Sequence, residues 1–105
     1  MTLAGGLTSS KAKFEIMHYV YAIWSESHDK IYVGFSENPD KRLEYHNTGR
    51  SKYTKSFKPW KRFYLEQVES KTEALKKEKY LKSGWGRKKL KLELEKWQSG
   101  RMRQS

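Results

Sequence analysis

Two tyrosines, Tyr21 and Tyr32, lie in neighbouring aromatic and β-branched stretches that predict the strands of a β-hairpin. With a four-residue loop at 25–28, Trp24 pairs with Asp29, and the register places Tyr21 directly opposite Tyr32. Cross-strand partners share a face of the sheet, so two phenol groups are expected to project together from one side. Ordinary aromatic packing between strands is the alternative interpretation of this pair.

A predicted helix follows the hairpin and carries further polar side chains that could do chemistry. Arg42 and His46 are four residues apart, so they point the same way, and Tyr45 lies close by. An arginine binds phosphate, and a histidine can move a proton near neutral pH. A solvated polar face of the helix is the alternative.

A carboxylate, Glu78, lies within the apolar stripe of a later predicted helix, at helical spacing from Ala74, Leu75 and Leu81. A carboxylate on a buried face costs free energy unless it is paired or binds a cation. An ion pair with Lys82, four residues further on, is the simplest alternative. We favour a metal ligand, because Mg²⁺ often takes one or two protein carboxylates and completes its shell with water and phosphate.

Residues 50–62 form a basic and aromatic segment with six basic side chains and no acidic one. Such a segment is typical of a loop that contacts the nucleic-acid backbone, where cations neutralise phosphates and aromatic rings stack. The residues expected to do so are Lys52, Tyr53, Lys55 and Lys58. Solvated lysines are the alternative, and Trp60, at the start of a strand, is expected in the core.

The elements that must position these residues follow from hydrophobic pattern and from helix-capping residues. Asn38 and Pro39 begin the first helix, Gly49 ends it, and Ser70 begins the second. The predicted strands are about 18–24, 30–35 and 61–68, and the predicted helices are about 39–48, 71–82 and 86–97. This order fits a small α+β domain with a three-stranded sheet over residues 17–97. The flanking segments 1–16 and 98–105 are predicted to be flexible tails.

Composition limits the classes of function. The chain has 105 residues, of which 35% are hydrophobic, so it forms a modest core and no large multi-layer enzyme. It contains no cysteine, which excludes disulfides, thiolate metal sites and cysteine nucleophiles. The net charge is +11, and residues 50–105 carry 18 basic and 6 acidic side chains, which indicates a polyanionic partner. The sequence lacks an apolar run of membrane-spanning length and a secretory pattern, so we expect no membrane partner and a cytoplasmic location.

Taken together, these residues resemble the GIY-YIG nuclease family, in particular its small single-domain bacterial members with a URI-type domain. The two signature tripeptides appear here as 19–21 (Tyr-Val-Tyr) and 32–34 (Tyr-Val-Gly). Further stretches similar to the small members are 46–49, 51–54, 59–60 and 78–84. The ordered set at these distances is far more specific than either tripeptide alone, and it covers about residues 17–97.

The resemblance implies a three-stranded antiparallel sheet flanked by helices and an endonuclease that uses one divalent ion, Mg²⁺ or Mn²⁺. It implies that Tyr32 is the candidate general base and that Tyr21 orients water or phosphate. Arg42 would stabilise charge on the scissile phosphate, and His46 would assist proton transfer or position the nucleophile. Glu78 would hold the metal. A free phenol has a pKa near 10, so a tyrosine base needs a nearby cation, and the residues alone leave open whether Tyr32 or His46 takes the proton.

Three features depart from the family pattern. Tyr19 replaces the leading glycine of the first signature, and Phe35 stands where several relatives carry a polar or basic residue. The only asparagines are Asn38 and Asn47, so none follows Glu78 at the later family position. These departures bear on the expected catalytic turnover more than on the expected fold. The predicted function is a DNA endonuclease of low sequence specificity; the alternatives are a non-cleaving nucleic-acid-binding module with the same fold and a small basic RNA-associated protein.

Overall fold

The computed structural model describes residues 17–104 of the chain. They form three strands and three helices, with one short 3₁₀ turn before the last strand. The elements in chain order are β1 (His18–Ser25), β2 (Lys30–Ser36), α1 (Pro39–Asn47), the 3₁₀ turn Lys55–Phe57, β3 (Trp60–Val68), α2 (Lys71–Leu81) and α3 (Gly84–Gln104). The strands form one antiparallel sheet in the order β2-β1-β3, and the predicted α+β fold class is confirmed.

The register of the β1–β2 hairpin differs from the predicted one. Tyr21 lies opposite Gly34 and Tyr32 lies opposite Ile23, so the expectation that the two tyrosines face each other directly is wrong. The error amounts to two residues. Because side chains alternate with a period of two along a strand, both tyrosines still lie on the same face of the sheet.

The reason for the register lies at the end of β1. Ser25 is fully buried, and its hydroxyl donates a hydrogen bond to the Phe57 carbonyl at 2.6 Å, so Ser25 remains in the strand and pairs with Lys30. The loop therefore consists of residues 26–29 and not of 25–28. Asp29 turns the chain with a φ of 50°, in the left-handed region that Asp tolerates better than most residues.

Each face of the sheet packs against a separate hydrophobic cluster. One face packs against α2 and α3 through Val20, Ala22, Trp24, Val33, Phe63, Val68, Ala74, Leu81, Leu90 and Leu94. The other face carries a smaller cluster of Tyr21, Ile23 and Trp60, with Tyr32, Leu43 and Phe57 against it. Helix α1 and the 3₁₀ turn thus cover the face that bears the two tyrosines.

The predicted helix boundaries are confirmed where capping residues mark them. The Asn38 side chain accepts a hydrogen bond from the Lys41 backbone N–H at 3.2 Å, and Ser70 caps α2 by accepting from the Glu73 N–H at 3.2 Å. Just after α1, Gly49 adopts a φ of 81°, which is the conformation that glycine permits at a helix end.

The last helix is longer than predicted. It begins at Gly84 and continues to Gln104, so the expectation that it spans about 86–97 is wrong, and residues 98–104 of the predicted flexible tail are helical. Gly100, near its C-terminal end, does not end the helix, since one glycine in a helix costs only about 1 kcal/mol. The predicted tail 1–16 lies outside the described residues. Within residues 17–104, no helix is long and apolar enough to cross a membrane.

Candidate active site

The centre of the candidate site is the buried hydroxyl of Tyr21. The side chain is 2% exposed, and its Oη lies 2.9 Å from Nε2 of His46 on α1. The residue opposite it on β2 is Gly34, where a Cβ atom would lie 2.7 Å from the same hydroxyl. The glycine of the second signature therefore leaves the space that the Tyr21 hydroxyl occupies.

His46 is fully buried, and both of its ring nitrogens have partners. Its Nδ1 lies 2.8 Å from Oγ1 of Thr54, while Nε2 faces Tyr21. Burial, and then the positive charge of Arg42, lowers the pKa of His46 to about 4. The ring is consequently neutral at pH 7, with one nitrogen that donates a hydrogen bond and one that accepts.

Thr54 is a member of the site that the sequence analysis does not single out. It is fully buried, and its carbonyl accepts a hydrogen bond from the Trp60 indole at 2.9 Å. Its position inside a lysine-rich loop gives no local sign of burial. The one available signal is that Thr54 belongs to the stretch 51–54, which is similar to small GIY-YIG members.

Tyr32 is the accessible phenol of the pair. Its side chain is half-buried, and its ring centroid lies 6.5 Å from that of Tyr21 and 5.0 Å from that of His46. The prediction that two phenols project from one face is confirmed in this diagonal arrangement. Because Tyr21 is almost fully covered, Tyr32 is the hydroxyl-bearing ring that solvent reaches.

Arg42 lies one helical turn before His46, and its guanidinium carbon is 4.3 Å from the centroid of the Tyr45 ring. Burial raises the pKa of Tyr21 to about 12, and the nearby guanidinium of Arg42 opposes that shift. Arg42 also borders an open cavity of about 430 Å³ whose lining includes the cations Lys41 and Arg50. The guanidinium of Arg42 thus lies near the buried Tyr21 and also at a surface that carries the positive charges of Lys41 and Arg50.

A pair of amide hydrogen bonds fixes the end of α1 against β3. The side-chain N–H of Asn47 donates to the Trp60 carbonyl at 3.0 Å, and its side-chain oxygen accepts from the Trp60 backbone N–H at 2.5 Å. Asn47 follows His46 directly, so this contact also fixes the position of the histidine. Together with the cap at Asn38, it gives both asparagines of the chain a structural role.

Glu78 lies on α2, whose core residues pack against the opposite face of the sheet from Tyr21. Its side chain is 20% exposed, and its Oε2 lies 3.3 Å from Nζ of Lys82, so the ion pair considered as the alternative is present. The apolar stripe around it is only partly buried, since Leu75 is 47% exposed. The negative charge of Glu78 is nevertheless one cause of the raised pKa of Tyr21, so the carboxylate lies within electrostatic range of the phenol.

The carboxylate of Glu78 has the chemistry of a magnesium ligand, because hard divalent cations prefer carboxylate oxygen. Among the described residues, no group of three or more His, Cys, Asp or Glu side chains could hold a metal ion. A single carboxylate still fits Mg²⁺ or Mn²⁺ when water and substrate phosphate complete the coordination shell. Lys82 would then have to give up its contact with Glu78.

The basic loop lies beside Tyr32. Lys52, Lys55 and Lys58 are exposed, and Tyr53, which is 61% exposed, places its ring centroid 5.9 Å from that of Tyr32. Trp60 is 2% exposed and belongs to the core, as predicted. The loop therefore brings three exposed positive charges and one solvent-facing ring to the edge of the candidate site.

Residues 17–91 match the family model described as the GIY-YIG catalytic domain. The chain belongs to the GIY-YIG family. Membership of this family implies a nuclease-type function with a nucleic-acid substrate. The four residues Tyr21, Tyr32, Arg42 and His46 lie together on the α1 side of the sheet, and Glu78, on α2, is within electrostatic range of Tyr21.

Curated relatives in this family are also small proteins. The chain is 38% identical over 76 residues to a UPF0213 protein of Staphylococcus saprophyticus, covering 71% of this chain and 92% of the relative. It is 40% identical over 76 residues to a UPF0213 protein of Staphylococcus aureus, with the same coverage. No solved structure matches the chain.

Proposed function

We propose that this GIY-YIG protein is a DNA endonuclease that hydrolyses phosphodiester bonds with one divalent ion. The observation that carries the proposal is the hydrogen-bonded row of Tyr21, His46 and Thr54 beside Arg42 and the accessible Tyr32. A buried row of polar groups that hydrogen-bond one another is rigid and holds each group in one geometry. It suits a site that must hold a phenol oxygen in one place.

His46 acts in this proposal as a positioning residue. It is neutral at pH 7 and fully buried, so its role here is to hold Tyr21 in place. The proposal assigns the neutral tautomer in which Nε2 accepts the O–H of Tyr21, at 2.9 Å, and Nδ1–H donates to Thr54, at 2.8 Å. The lone pairs of the Tyr21 oxygen are then left for the guanidinium of Arg42, which borders the open cavity.

Tyr32 is the candidate general base, because it is the phenol that water reaches. Removal of a phenol proton near neutral pH requires a nearby positive charge, and Arg42 lies within electrostatic range of Tyr32. Arg42 also faces the open cavity, where it can hydrogen-bond the scissile phosphate and stabilise the charge that develops on it.

Glu78 is the residue that would hold Mg²⁺ or Mn²⁺. When bound, the ion supplies positive charge against the phosphate and the leaving oxygen. The contribution of this chain is the carboxylate itself and its place within electrostatic range of Tyr21. Beside Tyr32, the exposed cations Lys52, Lys55 and Lys58 bind the flanking phosphates, and Tyr53 stacks on a base or sugar.

The test is cleavage of supercoiled plasmid and branched DNA with Mg²⁺ or Mn²⁺. We expect Tyr32→Phe and Glu78→Gln each to reduce cleavage by at least about 100-fold, since they remove the base and the ligand. Two matched controls on α2, the exposed Tyr80→Phe and Glu73→Gln, are expected to cleave like the wild type. Binding of Mn²⁺ measured by electron paramagnetic resonance should be lost in Glu78→Gln and retained in Glu73→Gln.

The outcomes separate the competing functions. Equal DNA binding by all variants with no cleavage by the wild type would support the non-cleaving module and overturn the proposal. A clear preference for structured RNA over DNA in competition would favour the RNA-associated alternative.

A further inference from the structure

The indole of Trp85 faces solvent at the start of α3. It is 75% exposed, which is more than any other large hydrophobic side chain among the described residues. Trp24 and Trp60 are buried by contrast, and Trp97 is half-buried with its ring against Trp24 at 6.4 Å. A tryptophan has the largest apolar side-chain surface of any residue, so a partner that covered this indole would bury more apolar area than at any other single side chain.

The backbone beneath Trp85 is fixed. The next residue, Gly86, is buried, and a Cβ there would lie 2.1 Å from the Tyr80 carbonyl oxygen and 2.4 Å from Cα of Leu81. The N–H of Arg87 donates to the Ser83 carbonyl at 2.9 Å. The start of α3 is therefore packed directly on the end of α2, and the indole projects from a rigid junction.

The surroundings of Trp85 are positively charged. Residues 79–96 contain seven basic side chains and two carboxylates, Glu93 and Glu95. The Lys88 ammonium lies 5.4 Å from the centroid of the indole, and within residues 17–100 no ion pair involves Lys88 or Lys96. Trp85 begins a line of exposed side chains at helical spacing on α3, and the line continues through Lys88, Leu92 and Lys96. We call this line the Trp85 face.

The Trp85 face also adjoins the candidate site along the chain. Helix α2 carries Glu78 and ends shortly before Trp85 along the chain. The Glu78 carboxylate lies 3.3 Å from the ammonium nitrogen of Lys82. Lys82 is thus the cation between the candidate metal ligand and the exposed indole.

We propose that the Trp85 face binds a single-stranded segment of the nucleic-acid substrate, with an unpaired base stacked on the indole and the lysines on its phosphates. This inference rests on the proposed function and narrows its substrate class to nucleic acid that carries unpaired bases. Stacking on an aromatic side chain requires a free base face, which the interior of a duplex does not offer. The lysines supply the sequence-independent attraction to the backbone.

Charge disfavours a second copy of the chain as the occupant. In a two-fold symmetric contact the same surface meets itself, so Lys88 and Lys96 of both copies would be brought together. Like charges across an interface are repulsive, whereas a polyanion is attracted to the same residues.

The test measures binding without any divalent ion, so that cleavage plays no part. Fluorescence anisotropy of a labelled oligothymidylate is compared with that of a labelled blunt duplex of mixed sequence. We expect Trp85→Ala to weaken binding of the single strand about tenfold and to change duplex binding little. Trp85→Phe should retain most of the affinity, and Leu75→Ala, which removes exposed apolar area on α2 outside the Trp85 face, should bind like the wild type. Circular dichroism checks that each variant is folded.

Equal affinity of wild type and Trp85→Ala for the single strand would overturn the inference, as would an equal loss for both probes. A wild type that sediments as a dimer, and becomes monomeric in both Trp85→Ala and Leu92→Ala, would assign the face to self-association instead. Cleavage is measured separately with Mn²⁺ at saturating DNA. If the protein binds the single strand through Trp85 but does not cleave DNA, the proposed hydrolysis is wrong and this inference stands. If the protein cleaves DNA but Trp85→Ala does not weaken its binding of the single strand, this inference is wrong and the proposed hydrolysis stands.

Discussion

Acid should destabilise this protein through a single histidine. His46 has a pKa of about 4 in the folded protein, lowered from an ordinary value of 6.5 by burial and by Arg42. The unfolded chain therefore binds the proton more tightly than the folded chain does. The free energy of unfolding begins to fall as the pH drops below 6.5 and stops falling, for this residue, once the pH has passed through 4.

The size of the effect follows from these two pKa values. At pH 5.5 the histidine is about 90% protonated in the unfolded chain and only a few per cent protonated in the folded one. Relative to pH 8, the linkage relation gives a loss of about 1.4 kcal/mol in the free energy of unfolding. Carboxylates contribute little to this difference, because their ordinary pKa values lie about one unit or more below pH 5.5.

The assay is urea unfolding at pH 8 and pH 5.5, with the midpoint and slope fitted at each pH. His46→Gln keeps a side chain that can hydrogen-bond but does not titrate, so it should lose almost none of its stability between the two pH values. The exposed His28→Gln is the matched control and should lose about as much as the wild type. Equal stability of the wild type at both pH values would contradict this role of His46. So would an equal loss in the free energy of unfolding for His46→Gln and the wild type.

Three further predictions follow from the contacts of the site. Thr54→Val leaves the Nδ1 of His46 without its partner and should cost about 1–3 kcal/mol in urea unfolding, whereas Thr54→Ser should restore the bond and the ¹⁵N shifts of the ring. Gly34→Ala puts a methyl group 2.7 Å from the Tyr21 hydroxyl, so thermal unfolding should show a loss of about 1–3 kcal/mol, together with loss of DNA cleavage; an unchanged melting temperature would contradict this. Replacing Lys52, Lys55 and Lys58 together by Gln should lower the slope of log affinity against log salt by about 3, with no change in stability because all three are exposed.

Local features of the sequence predict most of the fold. Asn38 and Ser70 mark helix starts because their side chains bond a nearby backbone N–H, and Gly49 marks a helix end because of its backbone freedom. The shared face of Tyr21 and Tyr32 is also predictable, since it depends only on strand parity and survives the two-residue error in register.

The features that the sequence does not predict depend on contacts between residues that are far apart along the chain. The register depends on Ser25, whose burial is explained by a bond to a carbonyl thirty-two residues further on. Thr54 joins the site through a loop that has no periodic pattern. For Glu78 the sequence offers a metal ligand and an ion pair as alternatives, and the chain places the carboxylate where it is paired with Lys82 and still influences Tyr21.

The burial of Tyr21 and His46 has a consequence for how sequences of this kind are compared. Both side chains belong to the interior, and removing either one opens a void or strands a polar atom, so natural selection for foldability alone would keep them. A related protein that had lost the hydrolytic activity would still keep Tyr21 and His46 after its surface residues had changed. Loss of the more accessible members, Tyr32 and Glu78, is therefore the earlier sign of an enzyme that has become a non-cleaving binding protein.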